Sequence, residues 1–180
     1  ALPLRNRMPK VAPATFGIRF LSGSAGQSSD GWQVFAGGRT AAGEFNLPSS
    51  VALDTQGNIY VADTFNYRVQ KLSPTGQPAA QWGTKGSGPG EFNLPYAVAV
   101  SPAGNVYVAD TANHRVQELS ASGEAIAQWG AEGSGPGQFD SPRGIALDSA
   151  GDVLVADALN NRIEKLSPSG QFMAAWGSRG

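Results

Sequence analysis

Side chains that could do chemistry recur three times in this sequence in the pattern D-x-x-N-x-R. A ring of carboxylates could ligate a metal ion or transfer protons, and a ring of guanidinium groups could cradle an anion. One copy of the pattern per repeat favours a local structural task, because a partly buried Asp that accepts turn N–H groups and pairs with Arg would hold a hairpin. The residues concerned are Asp63, Asp110 and Asp157, Asn66, Asn113 and Asn160, and Arg68, Arg115 and Arg162. The asparagines suit the turn itself, where Asn tolerates a positive φ and bonds its own backbone.

Other candidate sites are weaker. His114 is the sole histidine, so neither a Ser-His-Asp triad nor a His-rich zinc site is indicated, and it occupies a variable turn position. The turn DSAGD at residues 148–152 could hold Ca²⁺, but a plain β-turn is favoured. The GSGPG segments lack the Lys-Ser/Thr and the helix of a phosphate loop, so they are interpreted as connections between repeats. The sequence predicts no catalytic residue, no metal ligand and no cofactor.

Aromatic residues repeat with the same regularity as the charged ones. Each repeat contains a G-x-F motif and a final Trp-Gly, and we expect these rings to wedge between neighbouring structural units. A cage for an aromatic ligand is the alternative. The residues are Phe45, Phe92 and Phe139 with Trp82, Trp129 and Trp176.

The elements that position these side chains follow from a repeat of 47 residues, which separates successive copies of Trp, Asp and Pro. In the second copy, residues 97–100, 106–109, 115–119 and 125–129 are short apolar or alternating runs separated by turn sequences. Four short strands in 47 residues are typical of a β-propeller blade, whereas a helical repeat needs segments of ten or more residues. The predicted fold is all-β, with propeller blades.

The repeated segments resemble the NHL repeat. The resemblance lies in NIYVADTFNYRVQKL, NVYVADTANHRVQEL and DVLVADALNNRIEKL, each preceded by a segment such as GEFNLPSSVALD, and it covers residues 36–180. It implies four-stranded antiparallel sheets around an axis, with the strand after G-x-F-x-x-P innermost and the Trp-Gly strand near the rim. Relatives of this kind include bacterial sensor and extracellular proteins, animal proteins that bind RNA or protein, and six-bladed enzymes with central metal sites.

The predicted organisation is an extended basic arm, part of a degenerate blade, and three complete blades. Their ranges are 1–15, 16–38, 39–83, 84–130 and 131–180. Three blades do not make a ring, and four solutions stay open: residues 1–35 as a poor fourth blade, two copies in a six-bladed ring, a fragment of a longer chain, or an open arc completed by a different protein. The arm is either an unstructured leader or a tether along a neighbouring subunit.

Charge and composition narrow the partners. The net charge is −1, with four basic residues against one acidic residue in residues 1–35 and nine against thirteen in the remainder, so an acidic body argues against nucleic acid. There is no cysteine and no apolar run long enough for direct membrane insertion. We therefore predict a non-enzymatic module that binds protein, by self-association or as a subunit of a larger assembly. Resemblance suggests a bacterial, extracytoplasmic location; the alternative function is an enzyme, metal-binding protein or small-ligand receptor that uses the central channel.

Overall fold

The structure is a computed structural model that describes residues 41–180. Three groups of four strands follow one another and define blades 1, 2 and 3. Blade 1 contains β1 to β4 (Pro48–Leu53, Ile59–Asp63, Arg68–Leu72, Pro78–Trp82). Blade 2 contains β5 to β8 (Pro95–Val100, Val106–Asp110, Arg115–Leu119, Ala125–Trp129). Blade 3 contains β9 to β12 (Pro142–Leu147, Val153–Asp157, Arg162–Leu166, Phe172–Trp176).

Each blade is an antiparallel meander whose strands pair in sequence order. The second and third strands pair without a register shift, so that Asp63 lies opposite Arg68, and the same holds in the other blades. Short apolar strands form because their β-branched and aromatic residues pack on both sides, and Gly in the left-handed region closes the hairpins, as at Gly57 (φ 79°). The prediction of an all-β propeller fold with three complete blades is confirmed.

The three sheets of residues 41–180 form an open arc. The first strands of adjacent blades face one another, β1 against β5 and β5 against β9, and the described sheets do not close into a ring. The predicted arm and the predicted partial blade at residues 16–38 lie outside the described residues. No helix able to cross a membrane occurs in residues 41–180.

The hydrophobic core lies between the blades. We call the side of a blade that faces the preceding blade its leading face, and the opposite side its trailing face. Between blades 1 and 2 the trailing face supplies Tyr60, Ala62 and Val69, and the opposing residues are Phe92, Val98, Val106, Val108 and Leu119. Equivalent residues pack between blades 2 and 3, around the fully buried Phe139. Each interface therefore uses the same positions of the repeat.

Candidate functional site

The repeated aspartates are the centres of buried hydrogen-bond networks, one in each blade. Asp110 is fully buried; its Oδ1 accepts the backbone N–H of Asn93 over 2.7 Å. Its Oδ2 accepts from Arg115 Nε (2.8 Å), Asn113 Nδ2 (2.9 Å) and Gln117 Nε2 (3.2 Å). Asp63 and Asp157 have the same Arg and Asn partners in their own blades. All of these carboxylate oxygens are engaged by protein donors, so the three aspartates do not converge on a ligand.

The arginines complete this network by binding the connection between blades. Arg115 donates to the carbonyl oxygens of Ser87, Gly88 and Glu91, and Arg162 donates to those of Ser134, Gly135 and Gln138. The GSGPG segments thus present carbonyl oxygens to a cation, and a phosphate would need N–H groups there instead. These contacts favour neither an anion cradle nor a phosphate loop. We call the Asp, Asn and Arg that bind each blade to the segment before it the clamp.

Two details of the predicted hairpin are wrong. The residue with positive φ is the one after each Asn, namely Tyr67 (55°), His114 (53°) and Asn161 (56°). Asn113 instead donates to Asp110 and to the Gly86 carbonyl oxygen, because its amide side chain is turned towards the buried carboxylate. The backbone N–H that each Asp accepts belongs to the segment before the first strand, and the hairpin turn does not supply it. His114 is a turn residue, with Nδ1 accepting the Ser141 N–H over 3.3 Å.

A fourth member of the network is the glutamine two residues after the Arg, which the pattern D-x-x-N-x-R does not include. Gln70 and Gln117 follow the Arg by two residues, accept a glycine N–H and donate through Nε2 to the Asp. The signal was present in the sequence, since R-x-Q, R-x-Q and R-x-E recur with the other landmarks. Reading the repeat for its residue types beyond Asp, Asn and Arg would have found it.

Blade 3 has Glu164 at this position, so a carboxylate replaces an amide that donates a hydrogen bond in the other two blades. Oε2 accepts the Gly137 N–H over 3.0 Å. Oε1 lies 2.8 Å from Arg162 Nη2 but in a geometry that makes no hydrogen bond. Burial of this side chain raises the pKa of Glu164, and the nearby charge of Asp157 acts in the same direction.

Lys165 of β11 lies against the two aspartates of the turn at residues 148–152. Lys165 Nζ lies 2.8 Å from Asp148 Oδ2 and 2.7 Å from Asp152 Oδ2. The hydrogen bond from Lys165 lowers the pKa of Asp148 and the same contact raises the pKa of Lys165. Within residues 41–180 no cluster of His, Asp and Glu has metal-ligand geometry. The ammonium group of Lys165 therefore pairs with both carboxylates of this turn.

The repeated aromatic residues lie at the faces of the blades. Phe92 and Phe139 are fully buried between blades, and Trp82 and Trp129 stack on Tyr60 and Tyr107 at the rim of the same interfaces. The two end members of the series differ: Phe45 is half-buried, and Trp176 is 53% exposed. Neither end member is wedged between two described blades, so the prediction for the aromatics holds only for the inner four.

Apolar residues are exposed on the two outer blade faces, which are the candidate functional site. On the leading face of blade 1, Val51 is 69% exposed, whereas its counterpart Val98 in blade 2 is 3% exposed. On the trailing face of blade 3, Ile163 is 39% exposed, whereas its counterpart Val116 is fully buried. The exposed apolar residues are thus Val51 and Leu53 on the leading face of blade 1, where Val61 and Leu72 are buried, and Ile163 and Trp176 on the trailing face of blade 3.

Comparison of the sequence with protein families identifies the repeat. A family model described as NHL repeat matches residues 45–72, 92–119 and 139–166. The chain is an NHL-repeat protein. Each matched NHL segment begins at the buried Phe position and ends with the third strand, so it contains the Asp, Asn and Arg of the clamp and leaves out the Trp strand. Comparison with curated proteins found no match.

Solved structures are similar to this NHL-repeat chain in fold. Hydrazine synthase from Kuenenia stuttgartiensis has 16% identity and a TM-score of 0.58, covering 73% of this chain and 36% of that chain. Virginiamycin B lyase from Staphylococcus aureus has 14% identity and a TM-score of 0.57, covering 74% and 42%. A protein of unknown function from Bacteroides caccae has 18% identity and a TM-score of 0.53, covering 74% and 46%. The chain matches less than half the length of each.

Proposed function

We propose that this chain is a non-catalytic module that binds protein through the outer faces of its blade array. The observation that carries the proposal is the contrast between equivalent residues: Val51 and Ile163 are exposed where Val98 and Val116 are buried. Removal of apolar surface from water contributes favourably to association, so two such faces favour a protein partner.

The polar residues support a structural role for the rest of the repeat. A catalytic carboxylate or base needs access to a substrate, yet Asp63, Asp110 and Asp157 are fully buried and bonded to their own blade. Among the more accessible charged groups, Asp148 and Lys165 form an ion pair with each other. The acidic balance of residues 36–180 also favours protein over nucleic acid as the partner.

Site-specific photo-cross-linking in the source cells tests the proposal. A photoreactive phenylalanine analogue at Val51 on the leading face is compared with the same analogue at Ile126, which is 53% exposed on the outer strand of blade 2. We expect cross-links to protein from position 51 and few from position 126, with partners identified from their peptides. Equal labelling at the two positions, or none at either, would contradict a role for the blade face.

The alternative function is a ligand site or active site at the centre of a completed ring. It is favoured by the solved structures of similar fold that are described as a hydrazine synthase and a lyase, although at 14–16% identity the likeness concerns the fold alone. Elemental analysis of the purified chain, together with ligand screening by thermal shift, separates this alternative from protein binding. The extracytoplasmic location stays a prediction, which fractionation of the source cells would test.

A further inference from the structure

A tryptophan seated on a glycine is the contact that recurs at each interface between blades. The Trp82 indole lies on Gly123 of blade 2, so closely that a Cβ added to this glycine would come within 1.9 Å of Trp82 Cδ1. The Trp129 indole lies on Gly170 of blade 3 in the same way, at 2.0 Å. Any side chain at these glycines would displace the ring, so the turn between the third and fourth strands of each blade is a seat for the preceding Trp.

One seat and one tryptophan of this series have no partner among residues 41–180. Gly76 is the equivalent glycine of blade 1, and no described atom lies within 4 Å of a Cβ added there. Trp176 is the equivalent tryptophan of blade 3, and it is 53% exposed. The open seat lies on the leading face of blade 1 and the exposed ring on the trailing face of blade 3, which are the two halves of the contact found inside the arc.

The apolar residues around this pair also match the internal interfaces. The leading face of blade 1 has an apolar residue at every position that packs on the leading face of blade 2. The trailing face of blade 3 has one at every position that packs on the trailing face of blade 2. On the leading face the residues are Phe45, Val51, Leu53, Ile59, Val61 and Leu72. On the trailing face they are Ala146, Leu154, Ala156, Ile163 and Trp176. These two faces are therefore complementary to each other in the same sense as the faces of successive blades.

We propose that two copies of this chain bind head to tail, with Trp176 of each copy seated on Gly76 of the other. The inference rests on the proposed function, for which it names the partner. A contact between two different faces generates a ring when the rotation closes and a filament when it does not. Propellers of about four to eight blades are usual, and two copies of the three described blades give six.

The interface between copies differs from the internal ones in its polar contacts. Thr64 and Thr111 each donate a hydroxyl across their interface, to the carbonyl oxygens of Pro95 and Pro142. Blade 3 has Ala158 at this position and Leu154 in place of the stacked tyrosine, so its trailing face is more apolar and lacks this hydrogen bond. We expect the two copies to separate on dilution before the blades unfold, because the internal interfaces keep both the hydroxyl bonds and their covalent connection.

Thiol cross-linking of the full chain tests the arrangement, since the protein has no cysteine of its own. One variant carries Ala174→Cys, on the same side of β12 as Trp176, and the other carries Thr75→Cys beside Gly76. A double variant of one chain with Ala127→Cys and Ser169→Cys, the equivalent positions of the interface between blades 2 and 3, calibrates a short bismaleimide. We expect the dimers that pair the two different variants to cross-link as efficiently as the double variant closes internally, and each single variant alone to give no covalent dimer.

Sedimentation of matched variants tests the residues. Trp176→Ala removes the ring and Gly76→Asn fills the seat, and each is expected to weaken dimerisation at least tenfold. Met173→Ala is the control for the first, since Met173 is 52% exposed on the same strand. Gly57→Asn is the control for the second. Asn would meet the same positive φ at Gly57 (79°) as at Gly76 (80°), and Gly57 lies in the turn between β1 and β2. Both controls are expected to dimerise like the parent.

Several outcomes would overturn the inference. The two-copy ring would be contradicted by a parent chain that is monomeric at all concentrations. It would also be contradicted by a dimer that Ala174→Cys alone cross-links, or by an assembly of more than two copies. Cross-links from position 51 to residues 1–40 of the same chain, or to a different protein, would also remove the second copy as the occupant. Cross-linking to a different protein would leave the proposed function intact, so the two failures are distinguishable.

Discussion

Arg115 donates its Nε–H to Asp110 Oδ2 over 2.8 Å, and the aspartate side chain is fully buried. Removing the carboxylate would leave the guanidinium without its counter-charge beside three carbonyl oxygens. We expect Asp110→Ala to lower the free energy of unfolding by about 3–5 kcal/mol, measured by chemical denaturation. Glu124→Ala, in an exposed turn of the same blade, is the control and should change little. A variant that unfolds like the parent but no longer binds protein would show that Asp110 belongs to a binding site.

Phe92 and Phe45 occupy equivalent positions and differ in burial, which gives a matched pair of substitutions. Phe92→Ala empties the interface between blades 1 and 2 and should cost about 3–5 kcal/mol of the free energy of unfolding. Phe45→Ala should cost less in the monomer, because this ring is half-buried. The two losses should become similar in the associated protein if the leading face of blade 1 is covered there. Denaturation at low and high protein concentration measures both; equal losses at low concentration would contradict the assignment.

Glu164 makes blade 3 sensitive to pH in a way that blades 1 and 2 are not. Burial raises the pKa of this carboxyl above its value in the unfolded chain, so the folded state holds the proton more tightly. Stability that depends on the protonated Glu164 carboxyl is fully present below the unfolded pKa and is lost as the pH rises through the folded pKa. Glu164→Gln restores the amide of the other blades and should stabilise the protein at neutral pH by about 1–3 kcal/mol, with little effect in acid.

Thermal denaturation across the pH range measures the Glu164 effect. Gln117→Glu is the reciprocal variant, and it should give blade 2 the same loss of stability at neutral pH because Gln117 Nε2 also faces the Asp110 carboxylate. A Glu164→Gln variant whose stability advantage is the same in acid and at neutral pH would contradict the role of the carboxyl proton.

Tyr107 should ionise later than an ordinary tyrosine. Its hydroxyl donates to Glu118 Oε1 over 2.8 Å, and burial together with this carboxylate raises the pKa of Tyr107 to about 12. Stability that depends on the neutral phenol is fully present below about pH 10 and is lost as the pH rises towards the folded pKa. Ultraviolet titration should show a late-ionising component that disappears in Tyr107→Phe but persists in Tyr96→Phe. A titration curve unchanged by Tyr107→Phe would be inconsistent with this contact.

The repeat allowed most of the fold to be predicted, because strands of five or six residues are set by local apolar patterns and turn residues. The residues of β6, β7 and β8 could be placed almost to the residue from the pattern of blade 2. The conformation of the hairpin turn could not, since Asn113 and His114 are both residues that tolerate a positive φ. A buried carboxylate decides between them, because it attracts the Asn113 amide and leaves His114 to close the turn.

The outer faces were harder to predict than the clamp. Trp82 and Trp176 stand in equivalent positions, so periodicity alone assigns them the same environment. Their environments differ because Gly123 receives the first ring and no described glycine receives the second. Burial depends on which blade is adjacent, and that information is not local to the repeat.

Because each interface is built by two successive blades, the array behaves as a row of coupled units whose middle member is held from both sides. Every residue of β6 and β7 is buried, whereas β10 and β11 include partly exposed positions and Ile163 of β11 is exposed. We therefore expect local opening to begin in blade 3, and amide hydrogen exchange to be slower in blade 2 than in blade 3. Closure of the array into a ring would give every blade two neighbours and remove this difference. Assembly should therefore slow amide hydrogen exchange in the outer blades before it affects blade 2.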